Sequence, residues 1–98
     1  MLFPGANAAK WRPVVVVSNS LYQQQHLDVI VGPLTSNLRI ATTAADYILL
    51  DWQQAGLNCP SAFRGYLQTT HPSKIRFVGN LSERDWNGVI TAVRQAFA

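Results

Sequence analysis

Four consecutive valines, residues 14–17, constrain the fold of this chain more than any other feature. β-Branched side chains favour extended backbone, and an unbroken apolar run is typical of a strand that is buried on both faces. Pro13 precedes the run, so we predict a buried strand over residues 14–18. A second apolar run predicts a neighbouring strand over residues 28–34.

The rest of the chain predicts shorter elements. Residues 47–50 predict a third strand, and residues 61–70 a fourth, half-exposed strand that Gly65 bends. Turn formers and polar residues predict connections elsewhere: a flexible loop over residues 4–11, a polar excursion over 21–27, a loop or weak strand over 37–45, a turn over 51–56 and a short basic segment over 74–78.

A helix is predicted at the end of the chain. Ser82 and Asp85 form a capping pattern, and acidic residues near this point favour the positive end of the helix dipole. Gly88 inside the helix indicates close packing against a neighbour. The apolar residues fall at helical spacing and predict one buried stripe: Trp86, Val89, Ile90, Val93 and Phe97. Strands followed by a packed helix predict a small antiparallel α+β domain.

The size and composition favour one globular domain over residues 1–98. Hydrophobic residues make up 48% and charged residues only 13%, which excludes a disordered chain and suggests that some apolar surface lies in a subunit interface. The net charge of +3 is compatible with a polyanionic partner, although many small basic proteins bind none.

Cysteine content and hydropathy limit the cellular setting. Cys59 is the single cysteine, so neither an intramolecular disulfide nor a cysteine-rich metal site can form. No apolar run approaches the roughly 18 residues that a membrane span requires. We therefore expect a soluble protein of the cytoplasm that has no contact with the membrane.

Cationic and hydroxyl side chains stand at the ends of the predicted strands. Arg12 precedes the valine run, Thr35 and Ser36 follow the second run, and Arg64 lies in the fourth strand. A guanidinium can bind a phosphate with two hydrogen bonds, while hydroxyls bind its remaining oxygens. Each residue also has a structural interpretation: a surface charge for Arg12, a turn for the hydroxyls, and for Arg64 an ion pair with Asp46, Asp51 or Asp85.

Other candidates are weaker. Histidine is a common acid–base catalyst, so His26 and His71 are candidates for that role, but two loop histidines are more often simply exposed. Trp11 is placed either to stack on a base or to pack in the core. A glycine-rich phosphate loop, paired zinc ligands and a nucleophile elbow are absent from the sequence, which disfavours metal and serine-hydrolase chemistry.

Four segments in order resemble the MazF/PemK toxin family over nearly the whole chain. They are residues 10–18 (KWRPVVVVS), 29–36 (VIVGPLTS), 55–57 (AGL) with Pro60 and Ser61, and 78–82 (VGNLS). The resemblance implies an SH3-like barrel with a C-terminal helix, a homodimer, and cleavage of single-stranded RNA that needs no metal or other cofactor. It further implies a type II toxin–antitoxin system in which an acidic antitoxin tail binds the toxin.

The resemblance also implies roles for individual residues. Arg12 matches the catalytic arginine of the family, and Thr35 matches the threonine that faces it across the cleft. The RNA 2′-hydroxyl then attacks its own phosphate, leaving a cyclic phosphate and a 5′-hydroxyl. Arg64 matches an arginine that some members use together with an aspartate two residues on. We predict as substrate-binding residues Asn7, Lys10, Trp11, Ser18, Ser36 and Arg64.

The chain departs from the family pattern in three places. Tyr66 stands where some members have an aspartate, and Asn7 stands where many have a glutamate, so two potential proton acceptors are lost. A general base would then be Tyr66, a histidine or water. The family's first strand is expected to be almost wholly missing, which would leave an unpaired sheet edge for a second copy or an antitoxin.

Two other functions stay open on the sequence. The losses at Asn7 and Tyr66 favour a binding module of the same fold with weak or no catalysis. A gyrase inhibitor resembling CcdB would act through its very C-terminus, and residues 93–98 instead predict the end of a buried helix.

Overall fold

The computed structural model describes residues 2–4 and 11–97. Every strand pairing is antiparallel, and the strand order is β1-β2-β3-β5-β4 with β6 beside β3. The strands are β1 (Leu2–Pro4), β2 (Trp11–Val16), β3 (Val29–Thr35), β4 (Tyr47–Ile48), β5 (Ala62–Phe63) and β6 (Gln68–Thr70). The helices are α1 (Ser20–Gln25) and α2 (Glu83–Phe97), and the 3₁₀ turns are Leu38–Ile40 and Pro72–Lys74.

Strand β3 organises the sheet because it pairs along both edges. One edge pairs with β2, in the register that sets Val14 opposite Pro33. The other edge pairs first with β6 and then, at its end, with β5. The predicted antiparallel sheet with a C-terminal helix is therefore confirmed. Among the described residues no pairing joins the outer strands β1 and β4, so the sheet does not close into a barrel.

The valine run is buried on both faces, as predicted. Val15 belongs to a core cluster that includes Val89 and Ala92 of α2. Val14 lies on the opposite face in a second cluster, against which Ile75 packs. Since neighbouring strand residues point to opposite faces, the run supplies both cores from one strand.

Two glycines lie where a larger side chain would clash with a neighbouring segment. A β-carbon on Gly32 would overlap the ring of Phe63, which packs across β3. A β-carbon on Gly65 would overlap the carbonyl of Ala45. The chain therefore breaks its strand near Gly65, and the single strand predicted over residues 61–70 is wrong: it is two strands, β5 and β6.

Other predicted elements agree in part. The strand over residues 28–34 is confirmed as β3, and the third strand is shortened to β4. The polar excursion over 21–27 is instead mostly helix α1, which begins where the Asn19 side chain accepts a hydrogen bond from the Tyr22 backbone N–H.

The start of the chain also differs from expectation. Pro4 and Trp11 were assigned to a loop, but they pair with each other as parts of β1 and β2. The first strand is therefore present as a three-residue element. The remainder of that predicted loop lies outside the described residues.

Helix α2 begins at its predicted cap and buries part of the predicted stripe, since Val89 is buried and Val93 packs against the same core cluster. The Ser82 hydroxyl accepts a hydrogen bond from the Asp85 backbone N–H at 3.2 Å. The buried positions are Asp85, Val89 and Ala92. Trp86 and Phe97 are 37% and 68% exposed, so their predicted place in the core is wrong, as is the prediction that residues up to 97 end a buried helix.

The Asp85 carboxylate occupies a buried position of α2 that the apolar pattern did not predict. It accepts hydrogen bonds from the Tyr47 hydroxyl at 2.7 Å, the Leu50 N–H at 3.0 Å and the Asp51 N–H at 2.8 Å. Burial and the bond to Asp85 raise the pKa of Tyr47 to about 12. Gly88 packs against the same tyrosine ring, which confirms the close contact predicted there.

A second carboxylate lies beside the first. Asp51 accepts two hydrogen bonds of 2.7 Å from Arg84 and one of 2.6 Å from the Ser82 hydroxyl. The bonds from Arg84 and Ser82 lower the pKa of Asp51 to about 2. Helix α2 is thus attached to the segment after β4 by both hydrogen bonds and charge.

Candidate active site

Arg12 and Thr35 lie at the same end of two adjacent strands. The β2–β3 ladder pairs Val16 with Val31 and ends at Val14 and Pro33. Arg12 stands in β2 two residues before that last pair, and Thr35, the last residue of β3, stands two residues after it. The two candidate catalytic residues are therefore carried by neighbouring strands beyond the point where their recorded pairing stops.

This pair lies on the face of the sheet opposite helix α2. Arg12 shares its face with Val14, because they are two residues apart in one strand, and Val14 belongs to the cluster that excludes α2. Arg12 is exposed. No carboxylate in the described part of the chain forms an ion pair with it. Its guanidinium is thus open to an anionic ligand from solvent.

A local hydrogen bond orients the hydroxyl of Thr35. The Thr35 Oγ1 accepts a hydrogen bond from the Asn37 backbone N–H at 3.1 Å. The turn that was considered as an alternative interpretation is therefore present. It does not compete with a role in binding, because the hydroxyl hydrogen remains able to donate to an oxygen on a ligand. Ser36 follows directly and is exposed.

Arg64 lies on the other side of β3, next to Pro33. Its backbone N–H donates to the Pro33 carbonyl at 2.9 Å, which places its side chain on the same face as Thr35. Its Nε donates to Oδ1 of Asp46 at 3.3 Å. Of the three ion pairs considered for Arg64, the one with Asp46 is formed. Its guanidinium also lies 5.6 Å from the ring centroid of Tyr66.

Asp46 is held as a carboxylate by several donors. Burial acts to raise its pKa, but hydrogen bonds from Thr43 and from the Gly65 N–H, together with the charge of Arg64, lower it overall. The Asp46 side chain is only 5% exposed, whereas that of Arg64 is 25% exposed. Asp46 therefore fixes the Nε side of the Arg64 guanidinium, while part of the arginine side chain stays accessible to solvent.

Trp11 contacts an arginine that the sequence interpretation did not single out. The guanidinium of Arg76 lies 4.7 Å from the Trp11 ring centroid, a cation–π contact. Trp11 is 45% exposed, so it is not the core residue considered as an alternative. In the sequence, only the basic character of residues 74–78 pointed to Arg76 as a residue of interest. Asn7 and Lys10 lie outside the described residues.

Ser18 and the two histidines lie at the opposite end of β3. The Ser18 hydroxyl accepts a hydrogen bond from the Ile30 N–H at 3.1 Å, near the start of the strand. His26 stacks on Tyr22 with ring centroids 4.1 Å apart. His71 follows β6, whose Thr70 pairs with Val29. The length of β3 is about 20 Å, so none of these three residues adjoins Thr35.

The described residues offer no clear metal or membrane site. They contain no group of three or more His, Cys, Asp or Glu side chains arranged to hold a metal ion. None of the described helices is long and apolar enough to cross a bilayer.

Known proteins resemble this chain in sequence pattern and in fold. A family model described as PemK-like, MazF-like toxin of type II toxin–antitoxin system matches residues 3–97. No curated protein matches.

Solved structures agree with that family. The Mycobacterium tuberculosis toxin MazF-mt6 is 22% identical, with a TM-score of 0.76 over 98% of this chain and 93% of that one. A mycobacterial endoribonuclease in complex with its cognate antitoxin is 16% identical, with a TM-score of 0.79 over 98% and 89%. Since the family model spans almost the whole sequence and its fold agrees with these structures, the chain belongs to the PemK-like, MazF-like toxins of type II toxin–antitoxin systems.

Proposed function

We propose that this toxin is an endoribonuclease that cleaves single-stranded mRNA at short sequences without a metal ion. One observation supports the proposal: Arg12 and Thr35 are on the adjacent strands β2 and β3, at the same end of the pair, and share a face with Val14 and Val31, which belong to the cluster that contains no residue of α2. Two of the solved structures with this fold are described as endoribonucleases from mycobacterial species, which supports the same reaction.

The reaction needs charge stabilisation more than it needs a protein nucleophile. The RNA 2′-hydroxyl attacks the adjacent phosphorus, and the 5′-oxygen of the next nucleotide leaves with a proton. The products are a 2′,3′-cyclic phosphate and a 5′-hydroxyl. Arg12 binds the phosphoryl oxygens, whose negative charge increases in the transition state. An arginine rarely loses its proton, so we assign it electrostatic stabilisation and not proton transfer.

Thr35 supplies a directed donor at the same phosphate. The N–H of Asn37 holds the hydroxyl oxygen, so the hydroxyl hydrogen is free to donate to a second phosphoryl oxygen. Among the candidate general bases we favour Tyr66, because it contacts Arg64 while both histidines lie at the other end of β3.

The RNA strand is proposed to run across the open face from β2 to β5. Arg64 would bind a neighbouring phosphate with the part of its guanidinium that Asp46 leaves accessible. Trp11 and Arg76 would stack with a base as one flat, positively charged surface. Asn7, Lys10, Ser18 and Ser36 remain candidate contacts for the flanking nucleotides.

We propose a homodimer as the functional form in the cytoplasm, with residues 1–98 as one domain of the SH3-like barrel type. The exchange of partners along β3 supports a barrel, because such a strand bends between two sheets. Ile48 in the outer strand β4 and Leu50 two residues later support a subunit interface, since these apolar side chains are 45% and 58% exposed. An antitoxin with an acidic tail would complement the net charge of +3.

A second candidate is a binding module of the same fold with little or no turnover. The contact between Arg64 and Tyr66 favours it, because this tyrosine replaces a potential carboxylate base and stacks on the arginine. Such a protein would still bind RNA or the antitoxin tail.

Cleavage of a mixed RNA pool separates the two candidates. Purified protein is incubated with the pool in EDTA, and the new ends are mapped and tested for a 5′-hydroxyl. The variants are Arg12→Ala and, as a control, Arg94→Ala, which removes an exposed arginine from the last turn of α2.

The nuclease predicts recurrent cut sites with 5′-hydroxyl ends that Arg94→Ala retains and Arg12→Ala loses by at least about 100-fold. RNA binding without any cuts at high protein excess would leave the binding module. Cuts that persist undiminished in Arg12→Ala would contradict the proposed site.

A further inference from the structure

A pocket lies between α1 and the start of β3, at the end of the sheet away from Thr35. Its volume is about 460 Å³. Apolar and polar side chains both line it, among them Val16, Val29 and Ile75 on one part and Gln23, His26 and Asp28 on another. Apolar surface with a few polar groups is typical of a site for a small ligand or for one unit of a larger one.

The strand residues of this pocket lie on the same face of the sheet as Arg12. Arg12, Val14 and Val16 are spaced by two residues in β2, so their side chains share one face. Val29 belongs to the core cluster on that face, and Ile75 packs against the same cluster. The pocket is therefore on the face proposed to bind RNA, at the far end of β3, about 20 Å along the strand.

The chain segment beside the pocket carries cations toward Arg12. Ile75 has extended backbone, with φ −124° and ψ 158°, so the side chains on either side of it point the opposite way. Since Ile75 packs onto the sheet, Lys74 and Arg76 project to solvent, and both are exposed. Arg76 contacts Trp11, the residue before Arg12. A row of cations thus extends from the pocket to the candidate active site.

Tyr22 holds an aromatic ring and a carboxylate of the pocket in a fixed relation. Its ring stacks on His26 with centroids 4.1 Å apart, and its hydroxyl donates to Oδ1 of Asp28 at 2.9 Å. His26 is exposed, so its ring can stack with a second flat group on the side away from Tyr22. Oδ2 of Asp28 stays available as an acceptor, and no cation in the described part of the chain forms an ion pair with this carboxylate.

A stacking ring beside a carboxylate matches one kind of RNA base. Proteins recognise unpaired bases by stacking them on aromatic rings and by hydrogen bonds to the Watson–Crick edge. An ionised carboxylate only accepts hydrogen bonds, so it selects an edge that offers donors. Guanine offers two neighbouring nitrogen donors on that edge, N1–H and the N2 amino group, one for each carboxylate oxygen. Adenine, cytosine and uracil each offer a single donor nitrogen there.

We propose that this pocket binds one guanine base of the RNA, with Asp28 accepting from N1–H and the N2 amino group while His26 stacks on the ring. Lys74 binds the phosphate of the same nucleotide. The inference rests on the proposed binding of RNA to this face, and it adds a nucleotide a few positions away from the cleaved phosphate. Asp28 is thereby a specificity-determining residue and not a catalytic one.

Binding is measured with two RNAs that the protein is unable to cleave. Both are fluorescein-labelled 2′-fluoro decamers, which lack the attacking hydroxyl: one contains only uridines, and the other has a single central guanosine. Fluorescence polarisation at fixed salt gives the two affinities. We expect the wild-type protein to bind the guanosine RNA at least about fivefold more tightly than the uridine RNA, as a two-point hydrogen-bonded contact would provide.

Four variants assign that preference to the pocket. Asp28→Asn should reduce it below about twofold, because the amide replaces one acceptor by a donor. Glu83→Gln removes the same charge from an exposed carboxylate of α2 and should keep the preference. Lys74→Ala should weaken both RNAs equally, by at least about threefold, because a phosphate contact does not distinguish bases. Tyr22→Phe keeps the stacked ring but loses the bond to Asp28, so it should lower the preference even if Asp28→Asn fails to fold.

The proposal is overturned if the wild-type protein binds the two RNAs equally, if it binds neither, or if Asp28→Asn keeps the full preference. Cleavage of the mixed RNA pool reports on the nuclease separately. Cuts that depend on Arg12 but show no guanine preference sensitive to Asp28→Asn would leave the nuclease without this pocket. A guanine preference in binding that Asp28→Asn abolishes, with no cuts in the pool, would leave the pocket without the nuclease.

Discussion

The hydroxyl of Tyr47 donates a 2.7 Å hydrogen bond to the fully buried carboxylate of Asp85, joining β4 to the first turn of α2. Two backbone N–H groups complete the environment of that carboxylate. All three donors would lose their partner if the carboxylate were removed.

Asp85→Ala should therefore destabilise the protein by about 3–5 kcal/mol, because it leaves buried donors without acceptors. Tyr47→Phe removes one donor and should cost about 1–2 kcal/mol. Urea unfolding followed by tryptophan fluorescence measures both. Equal stability of Asp85→Ala and wild type would show that the carboxylate does not hold the helix.

The ion pair between Asp51 and Arg84 predicts a dependence of stability on pH. Folding lowers the pKa of Asp51 from its ordinary value of 3.8 to about 2, so the folded state favours the carboxylate. The resulting stability is complete above about pH 4 and is lost as the pH falls toward 2. Arg84→Gln should be less stable than wild type at pH 7, and the difference should shrink between pH 4 and 2.

Thermal unfolding at half-unit pH steps tests that window. Glu83→Gln is the control, since Glu83 is an exposed neighbour outside the ion pair. If the difference in stability between Arg84→Gln and wild type stays constant down to pH 2, it does not come from the ionisation of Asp51.

Gly88→Ala should destabilise the protein even though alanine is the better helix former. In an isolated helix the change would gain about 1 kcal/mol. Here the new methyl group would overlap the Tyr47 ring, so we expect a net cost of about 1–3 kcal/mol. Thr91→Ala, at an exposed position of the same helix, should be neutral or slightly stabilising in the same denaturation experiment.

Substitutions at Thr35 test the directed hydroxyl. Thr35→Ser keeps the acceptor for Asn37 and the donor for phosphate, and should cleave RNA within about threefold of wild type. Thr35→Val loses both and should slow the single-turnover rate by about 100-fold with little change in RNA affinity. If valine supports the wild-type rate, the hydroxyl has no part in the reaction.

Asp46→Asn tests the positioning of Arg64. The amide weakens the ion pair, so Arg64 should lose its fixed orientation and RNA affinity should fall by about 3–10-fold. The rate at saturating RNA should change less than the affinity does. Arg64→Gln should show the same loss of RNA affinity. The double variant Asp46→Asn with Arg64→Gln should bind RNA no more weakly than Arg64→Gln alone.

The sequence predicts those features that depend on local pattern. The valine run and its proline boundary identified strand β2 and placed Arg12 near its start, and the capping residue Ser82 identified α2. A contact such as that between Asp85 and Tyr47 joins residues far apart in the chain, so the apolar pattern predicted Val89 and Val93 correctly but missed the burial of Asp85 and placed the exposed Trp86 and Phe97 in the core. Helix α1 was missed because its glutamines and the preceding asparagine are equally compatible with a polar loop.

The β2–β3 ladder between Val14–Pro33 and Val16–Val31 fixes the two strands that carry Arg12 and Thr35, and the Asn37 N–H in the connection after β3 also binds the Thr35 hydroxyl. A change in that connection that removed the N–H contact would therefore release the threonine side chain while the two strands kept their register.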